Sequence, residues 1–165
     1  MTVSMRYAKR EEWPDVLKLH RRAIHETAAA DYPTEVLNAW GSPLNDNEAP
    51  RMLAEFDAKL ECGHVVIVAE INGCLAGFGE LGPLKNELVA LYVNPDFGRQ
   101  GVGSAILREL ERIARKNTSP YLYMDASLTA VPLYEAHGFR ALEQATHRLR
   151  NGTFMECVKM RKDLA

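Results

Sequence analysis

Three glycines lie close together in the segment 94–110, NPDFGRQGVGSAILREL, just before leucines and isoleucines at helical spacing. Gly98, Gly101 and Gly103 leave the backbone free to turn so that successive N–H groups point outward together. At a helix N-terminus these groups have no intrahelical acceptor, and the helix dipole adds partial positive charge. Arg99 and Gln100 add side-chain donors. The segment therefore predicts an anion site, with phosphate or pyrophosphate as the commonest occupant.

Two nucleotide-binding motifs with glycine-rich loops differ from this segment at specific residues. A Walker A loop ends in Gly-Lys-Ser/Thr, whereas Gly103 is followed directly by Ser104. A dinucleotide fingerprint requires a small residue at the position of Ile106 and a parallel sheet around it. For the Gly-x-Gly pattern taken alone, a turn that only caps a helix is the alternative.

Composition and charge restrict the class of protein. The length favours one domain spanning residues 1–165. The 20 basic and 22 acidic residues nearly cancel without a basic stripe, so we expect no nucleic-acid partner. The 3 widely spaced cysteines predict neither a disulfide framework nor a metal site. Without a signal peptide or a run of roughly 18 apolar residues, we expect a cytoplasmic protein with no membrane partner.

The apolar periodicity predicts a mixed α/β fold with a largely antiparallel sheet. Asn72-Gly73 between two apolar runs predicts a hairpin over 64–81, and Asn151-Gly152 predicts another between strands 146–150 and 153–160, whose edge could support a homodimer. The remaining expected elements are strands over 4–9, 87–95 and 121–126, and helices over 13–24, 31–40, 47–62, 103–116 and within 129–139.

Two segments resemble the signatures of one protein family. Gly101 and Gly103 match a loop of the form Arg/Gln-x-x-Gly-x-Gly/Ala. The second signature, Asn-x-x-Ala-x-x-Leu-Tyr-x-x-x-Gly-Phe, is matched by Ala130, Leu133, Tyr134, Gly138 and Phe139. The chain thereby resembles the GNAT superfamily of acetyl-coenzyme A dependent N-acetyltransferases, and within it a bacterial YafP-like branch. Gly98 stands where the family usually has Arg or Gln, and Ser127 stands where it often has Asn.

The resemblance implies both a fold and a co-substrate. The fold is α/β (α+β), with a central, mostly antiparallel, twisted sheet of six to seven strands flanked by helices. The co-substrate is acetyl-coenzyme A (acetyl-CoA), with no metal. The residues that the resemblance assigns to coenzyme A are Leu91, Tyr92, Val93, Arg99, Gln100, Gly101, Val102, Gly103, Ser104 and Ser127.

The implied reaction is the transfer of an acetyl group to an amine. The amine must be neutral to attack a thioester, so a general base is needed, acting directly or through a water. Glu87, at the start of the strand that receives the pantetheine arm in this family, is the candidate base. Tyr134, at the family's acid position, is the candidate donor to the leaving thiolate.

The acceptor side is implied to belong to the first half of the chain. There we predict that His25, Thr27, Tyr32 and Trp40 contact the substrate, with His25 as a second candidate base. The acidic and aromatic residues of this region would suit a cationic small-molecule amine. Gly98 and Ser127 leave an inactive acyl-CoA-binding module as one alternative. A protein N-acetyltransferase is a second alternative. The retention of Glu87 and Tyr134 favours an enzyme.

Overall fold

The computed structural model describes residues 2–164, apart from the side chain of Asp46. In that range the elements are β1 (Ser4–Tyr7), α1 (Trp13–Thr27), α2 (Thr34–Trp40), α3 (Ala49–Glu61), β2 (Val65–Ile71), β3 (Cys74–Leu81), β4 (Leu88–Val93), α4 (Val102–Lys116), β5 (Tyr121–Ser127), α5 (Val131–Ala136), β6 (Arg140–Arg148) and β7 (Phe154–Asp163). None of these helices combines the length and the apolar character needed to cross a bilayer.

The strands form two antiparallel sheets. The first has the order β1-β2-β3-β4 and the second the order β5-β7-β6. An isolated parallel bridge between Glu87 and Tyr123 connects them. The predicted mixed α/β fold, with antiparallel strands flanked by helices, is confirmed.

The two predicted hairpins differ in how closely they match the structure. Asn72 (φ 51°) and Gly73 (φ 78°) form the expected two-residue turn between β2 and β3. The second hairpin has a longer loop, in which the Leu149 N–H donates to the Thr153 carbonyl at 2.8 Å, and β6 begins at Arg140 rather than at 146. Because β6 is an edge strand exposed along nearly its whole length, it has no apolar alternation for the sequence to reveal. Homodimerisation through this edge stays a prediction.

The first sheet is buried on both faces, and its packing places α4. Ile106 and Leu110 of α4 pack on one face with Ile67, whereas Val66 packs on the other with Phe56 of α3. A Cβ atom on Gly79 of β3 would lie 2.7 Å from Ile106 Cγ2, so only glycine lets α4 come this close to the sheet. This close approach holds the N-terminus of α4 beside the end of β4.

Candidate active site

The loop between β4 and α4 presents a row of backbone N–H groups. Arg99 (φ 62°) and Gly101 (φ 81°) adopt left-handed conformations, and Gly101 is the N-cap of α4. After Gly98, Ala105 is the first residue of the described chain whose N–H has an acceptor. It donates to the Gly101 carbonyl at 3.0 Å. The N–H groups of residues 99–104 are therefore available at the positive end of α4, an arrangement that suits an anion.

Two helices hold this loop from different sides. Arg22 of α1 donates two hydrogen bonds of 3.1 Å to the carboxylate of Asp96. Asn94 Oδ1 accepts from the Asp96 N–H at 2.9 Å and so fixes the turn that leaves β4. After α5, His137 Nε2 lies 2.9 Å from the Ser104 hydroxyl in the first turn of α4. These contacts fix the position of the N–H groups relative to β4.

A cleft opens between β4 and β5. At the Glu87–Tyr123 bridge the two chains still touch, and the Tyr123 N–H donates to the Asn86 carbonyl at 2.9 Å. Farther along, β4 is paired with β3 and β5 is paired with β7, so their facing edges have no ladder between them in the described range. An extended ligand can pair with such an edge as an added strand would.

Two cavities occupy the cleft. The larger, about 760 Å³, lies at the loop, and the smaller, about 350 Å³, lies toward the bridge. Both volumes fall in the usual range of small-molecule sites. The residues that line both cavities are Trp40, Leu91, Tyr92, Ser127 and Ala130.

Most residues predicted to contact coenzyme A line the larger cavity. Gln100 is exposed and lines neither cavity. Gly98 and Ser127, the two departures from the family pattern, are both in the lining. The predicted contacts found there are Leu91, Tyr92, Val93, Arg99, Gly101, Val102, Gly103, Ser104 and Ser127.

The two predicted catalytic residues line the smaller cavity. Tyr134 is only 4% exposed, packs edge-on against Phe139 with ring centroids 5.6 Å apart, and forms no side-chain hydrogen bond to any residue from 2 to 164. Burial raises the pKa of Tyr134, so its phenol keeps its proton at neutral pH. Glu87 is half-buried at the bridge where β4 and β5 part. The arrangement places a proton donor and a carboxylate in one cavity.

The four predicted substrate contacts divide into two pairs. Thr27 and Trp40 line the larger cavity. His25 and Tyr32 line neither cavity of the cleft. His25 Nε2 is 2.7 Å from the Gly41 carbonyl oxygen. The Tyr32 hydroxyl donates to the carbonyl of residue 156 at 2.6 Å and accepts from the N–H of residue 128 at 2.8 Å. Both side chains thus join backbone segments to each other instead of facing the cleft.

Four further titratable residues line the smaller cavity: Asp125, and His64, His147 and Cys157, for which the sequence indicated no catalytic role. They come from distant parts of the chain, so no spacing in the sequence indicates that they meet. His147 Nδ1 lies 3.7 Å from the Asp125 carboxylate, which also accepts from Lys159 at 3.1 Å. Burial raises the pKa of the Cys157 thiol, which disfavours the nucleophilic thiolate form.

Comparisons with known proteins agree with this geometry. The acetyltransferase (GNAT) domain family matches residues 28–164. The uncharacterized N-acetyltransferase YafP of Escherichia coli (strain K12) is 29% identical over 133 residues, which is 81% of this chain and 78% of YafP. A GCN5-related N-acetyltransferase from Rhodopseudomonas palustris has a similar crystal structure, with a TM-score of 0.87 at 27% identity over 99% of this chain and 97% of that chain. The structure of yncA from Salmonella typhimurium with its cofactor acetyl-CoA matches with a TM-score of 0.73 at 19% identity, over 100% of this chain and 95% of that chain.

The family match covers most of the chain and includes the loop, both strands of the cleft and α5. The similarity to YafP and to the Rhodopseudomonas palustris enzyme extends over most of the same range. The resemblance drawn from the two sequence signatures is thereby confirmed. The chain is an acyltransferase of the GNAT family.

Proposed function

We propose that this acyltransferase moves the acetyl group of acetyl-CoA to the amine of a small molecule. One observation carries the proposal: the larger cavity begins at the N–H groups of the loop and joins a smaller cavity that contains a proton donor and a carboxylate. A pyrophosphate at the loop and a thioester at the junction would bring the reacting carbonyl to those two side chains. The yncA structure, which contains acetyl-CoA, supports this choice of co-substrate.

The loop and β4 are proposed to hold the co-substrate. The N–H groups of residues 99–104 bind the pyrophosphate, and Arg99 adds a side-chain donor. The backbone of Leu91, Tyr92 and Val93 pairs with the pantetheine arm along the free edge of β4. A backbone N–H of this edge polarises the thioester carbonyl. Ser127, which lines both cavities, offers a hydroxyl where the family often has an amide.

Glu87 and Tyr134 are proposed to move the protons. Glu87 takes a proton from the acceptor's ammonium group, directly or through a water, which frees the nitrogen lone pair for attack. The bond between the carbonyl carbon and sulfur then breaks, and the Tyr134 hydroxyl protonates the thiolate. The unengaged hydroxyl and the raised pKa of Tyr134 both suit the donor role.

A cationic small-molecule acceptor fits the lining of the smaller cavity. The carboxylates of Glu87 and Asp125 attract an ammonium group, and Trp40 adds an aromatic side chain to the same lining. A volume of about 350 Å³ is at the lower end of ordinary ligand pockets, which favours a small acceptor over a folded protein surface.

Calorimetry and a thiol-release assay test this proposal. We expect acetyl-CoA to bind and coenzyme A to be released only when an amine from a panel of polyamines, amino acids and aromatic amines is present. N-terminal peptides complete the panel, and turnover with peptides alone would indicate a protein N-acetyltransferase. Binding without thiol release for every acceptor would contradict acetyl transfer.

A further inference from the structure

A buried carboxylate of β3 holds a histidine at the smaller cavity. Glu80 is 2% exposed and accepts hydrogen bonds of 3.0 and 3.2 Å from Lys59 Nζ of α3. Its Oε2 lies 2.7 Å from Nδ1 of His64, the residue before β2. His64 lines the smaller cavity together with Glu87 and Tyr134. None of the sequence signatures includes His64 or Glu80.

This contact determines which ring nitrogen of His64 is free. An ionised carboxylate only accepts hydrogen bonds, so Nδ1 carries the hydrogen and the lone pair of the neutral ring lies on Nε2. Nε2 has no hydrogen-bond partner between residues 2 and 164, and the side chain is 21% exposed. His64 therefore offers a basic nitrogen at the cavity, oriented by Glu80 in the manner of a carboxylate–histidine pair.

The strand register places His64 beside Glu87. Val65 pairs with Leu81 and Leu81 pairs with Leu88, so residues 64, 82 and 87 form the next row across the sheet. Adjacent strands are about 4.8 Å apart, so two such spacings separate the backbones of residues 64 and 87. The middle residue is Gly82, whose N–H donates to the Glu87 carbonyl at 2.9 Å.

The glycine leaves room for the two side chains to approach each other. Glu87 Oε1 lies 3.3 Å from the position that a Cβ atom on Gly82 would take. The Glu87 carboxylate thus leans over the glycine, on the side toward His64. A larger residue at 82 would push it away.

Charged groups from several elements surround this row. Glu80 contacts the His64 ring and Lys59 donates to Glu80, while Glu87 and Asp125 line the same cavity. His147 of β6 lines the same cavity. The ammonium group of Lys85 donates to the carbonyl of residue 63, next to His64 in the chain, at 2.5 Å. Glu80 is the charged group in direct contact with the ring.

We propose that His64, held by Glu80, is a second proton acceptor of the active site and works with Glu87. This inference rests on the proposed acetyl transfer. Imidazole suits the task because its ordinary titration range is the nearest to neutrality among side chains, where general base catalysis is most effective. Glu80 and Lys59 are positioning residues, which act only through His64.

The proton balance of the step is as follows. The acceptor's ammonium group gives one proton to Glu87 or to His64 Nε2, and the imidazole stores it. The nitrogen lone pair forms a bond to the thioester carbonyl carbon, the carbon–sulfur bond breaks, and the thiolate takes the Tyr134 proton. The second proton on the attacking nitrogen returns to Tyr134 through water, and the stored proton leaves to solvent. One ammonium and one thioester thus become an amide, a thiol and a released proton.

The variants H64N and H64A test this role. The Asn amide can donate to Glu80 as Nδ1 does, so H64N keeps the positioning contact and removes the base. We expect its kcat to fall about tenfold to several hundredfold at pH 7, with little change in KM or thermal midpoint. The acidic limb of its pH profile should shift or disappear. In H64A, added imidazole should restore part of kcat, whereas it should not do so in H64N, where Asn fills the space.

Three outcomes would overturn the inference. In the first, H64N keeps the wild-type kcat and pH profile, which leaves the proposed acetyl transfer intact. In the second, H64A loses activity but H64N does not and imidazole restores nothing, which would assign His64 a structural role. In the third, the wild type transfers no acetyl group to any acceptor, which would overturn the proposed function and this inference with it.

Discussion

Tyr134 is buried and Tyr92 is half-buried, and their hydroxyl groups are in different situations. Burial raises the pKa of each, so both phenols are protonated at neutral pH. The Tyr92 hydroxyl accepts a hydrogen bond from Trp40 Nε1 at 3.2 Å, whereas the Tyr134 hydroxyl has no partner within the described residues. A hydroxyl without a partner in the described range, more than burial itself, distinguishes Tyr134 as the proposed donor.

The first prediction at this scale concerns Tyr134→Phe. This change removes only the hydroxyl and keeps the ring packed on Phe139. If departure of the thiolate is at least partly rate-limiting, kcat should fall about ten- to a thousand-fold while KM changes little, as expected for the loss of a general acid. Steady-state thiol release measures both constants. Tyr121→Phe, outside both cavities, is the matched control and should keep the wild-type kcat.

The pH profile gives a second check on the same residue. A phenol titrates near pH 10 in model compounds, and burial raises the pKa of Tyr134 above that value. The wild-type rate should therefore not decline through ionisation of Tyr134 until above about pH 10. A wild-type kcat in Tyr134→Phe would assign the residue to packing and leave solvent as the donor.

At the scale of elements, the N-terminus of α4 is the proposed anion site. Its position depends on the close contact of α4 with β3 and on the Arg22 and His137 contacts to the loop. Gly101 gives the backbone the left-handed turn that directs the N–H groups outward. A change in this turn should therefore affect binding more than folding.

Gly101→Val and Gly73→Val form a matched pair that tests this point. Both glycines have similar left-handed backbones, φ 81° and φ 78°, and a Cβ atom on either would meet no atom within 4 Å. Each substitution should lower the free energy of unfolding by at least about 1–2 kcal/mol, because a left-handed conformation is strained for residues with a Cβ. Only Gly101→Val should weaken acetyl-CoA binding, by at least tenfold.

Calorimetry and urea unfolding measure the two effects separately. An unchanged Kd for acetyl-CoA in Gly101→Val, together with the expected loss of stability, would exclude the loop as the anion site.

At the scale of the whole molecule, the proposed co-substrate lies in the cleft between β4 and β5, where the strand pairing of the two sheets in the described range is limited to the Glu87–Tyr123 bridge. A ligand in this cleft contacts both sheets and so should stabilise the folded state as a whole. At one hundred times Kd, acetyl-CoA should add about 2.7 kcal/mol to the free energy of unfolding. For a chain of this size that corresponds to a rise in Tm of about 5–10 °C.

Differential scanning calorimetry measures this shift. The rise should be absent in Gly101→Val at the same acetyl-CoA concentration and present in Gly73→Val. Equal shifts in the two variants would contradict binding at the loop.

The stability of the molecule toward acid should depend on His20. Its ring contacts Tyr92, with centroids 4.4 Å apart, and burial together with the charge of Lys59 lowers its pKa to about 4. In the unfolded chain His20 is protonated near pH 6.5, whereas in the folded protein it stays neutral until about pH 4. The neutral, buried His20 therefore contributes fully to stability above pH 6.5, and this contribution is lost as the pH falls toward 4. His20→Phe should make the decline less steep. Urea unfolding of the wild type and of His20→Phe at pH 7 and pH 4.5 measures each decline. An equal loss of unfolding free energy in the two proteins would contradict this role of His20.

Contiguous residues determine the local features of this protein. The glycine loop, the amphipathic helix α4 and the Asn72-Gly73 turn could be predicted because backbone conformation and apolar periodicity are properties of short segments. The family signatures also singled out Tyr134, which lines a cavity together with Glu87.

Packing between distant segments determines the rest. Strand register brings His64, Gly82 and Glu87 into one row, and no pattern along the chain specifies which strands become neighbours. The Tyr32 hydroxyl and the His25 ring form hydrogen bonds with backbone groups that approach them only in the folded state. The sequence alone thus determined the glycine loop before α4 and the acyltransferase family, while tertiary structure decided which side chains face the cleft, because that depends on the burial of the whole core.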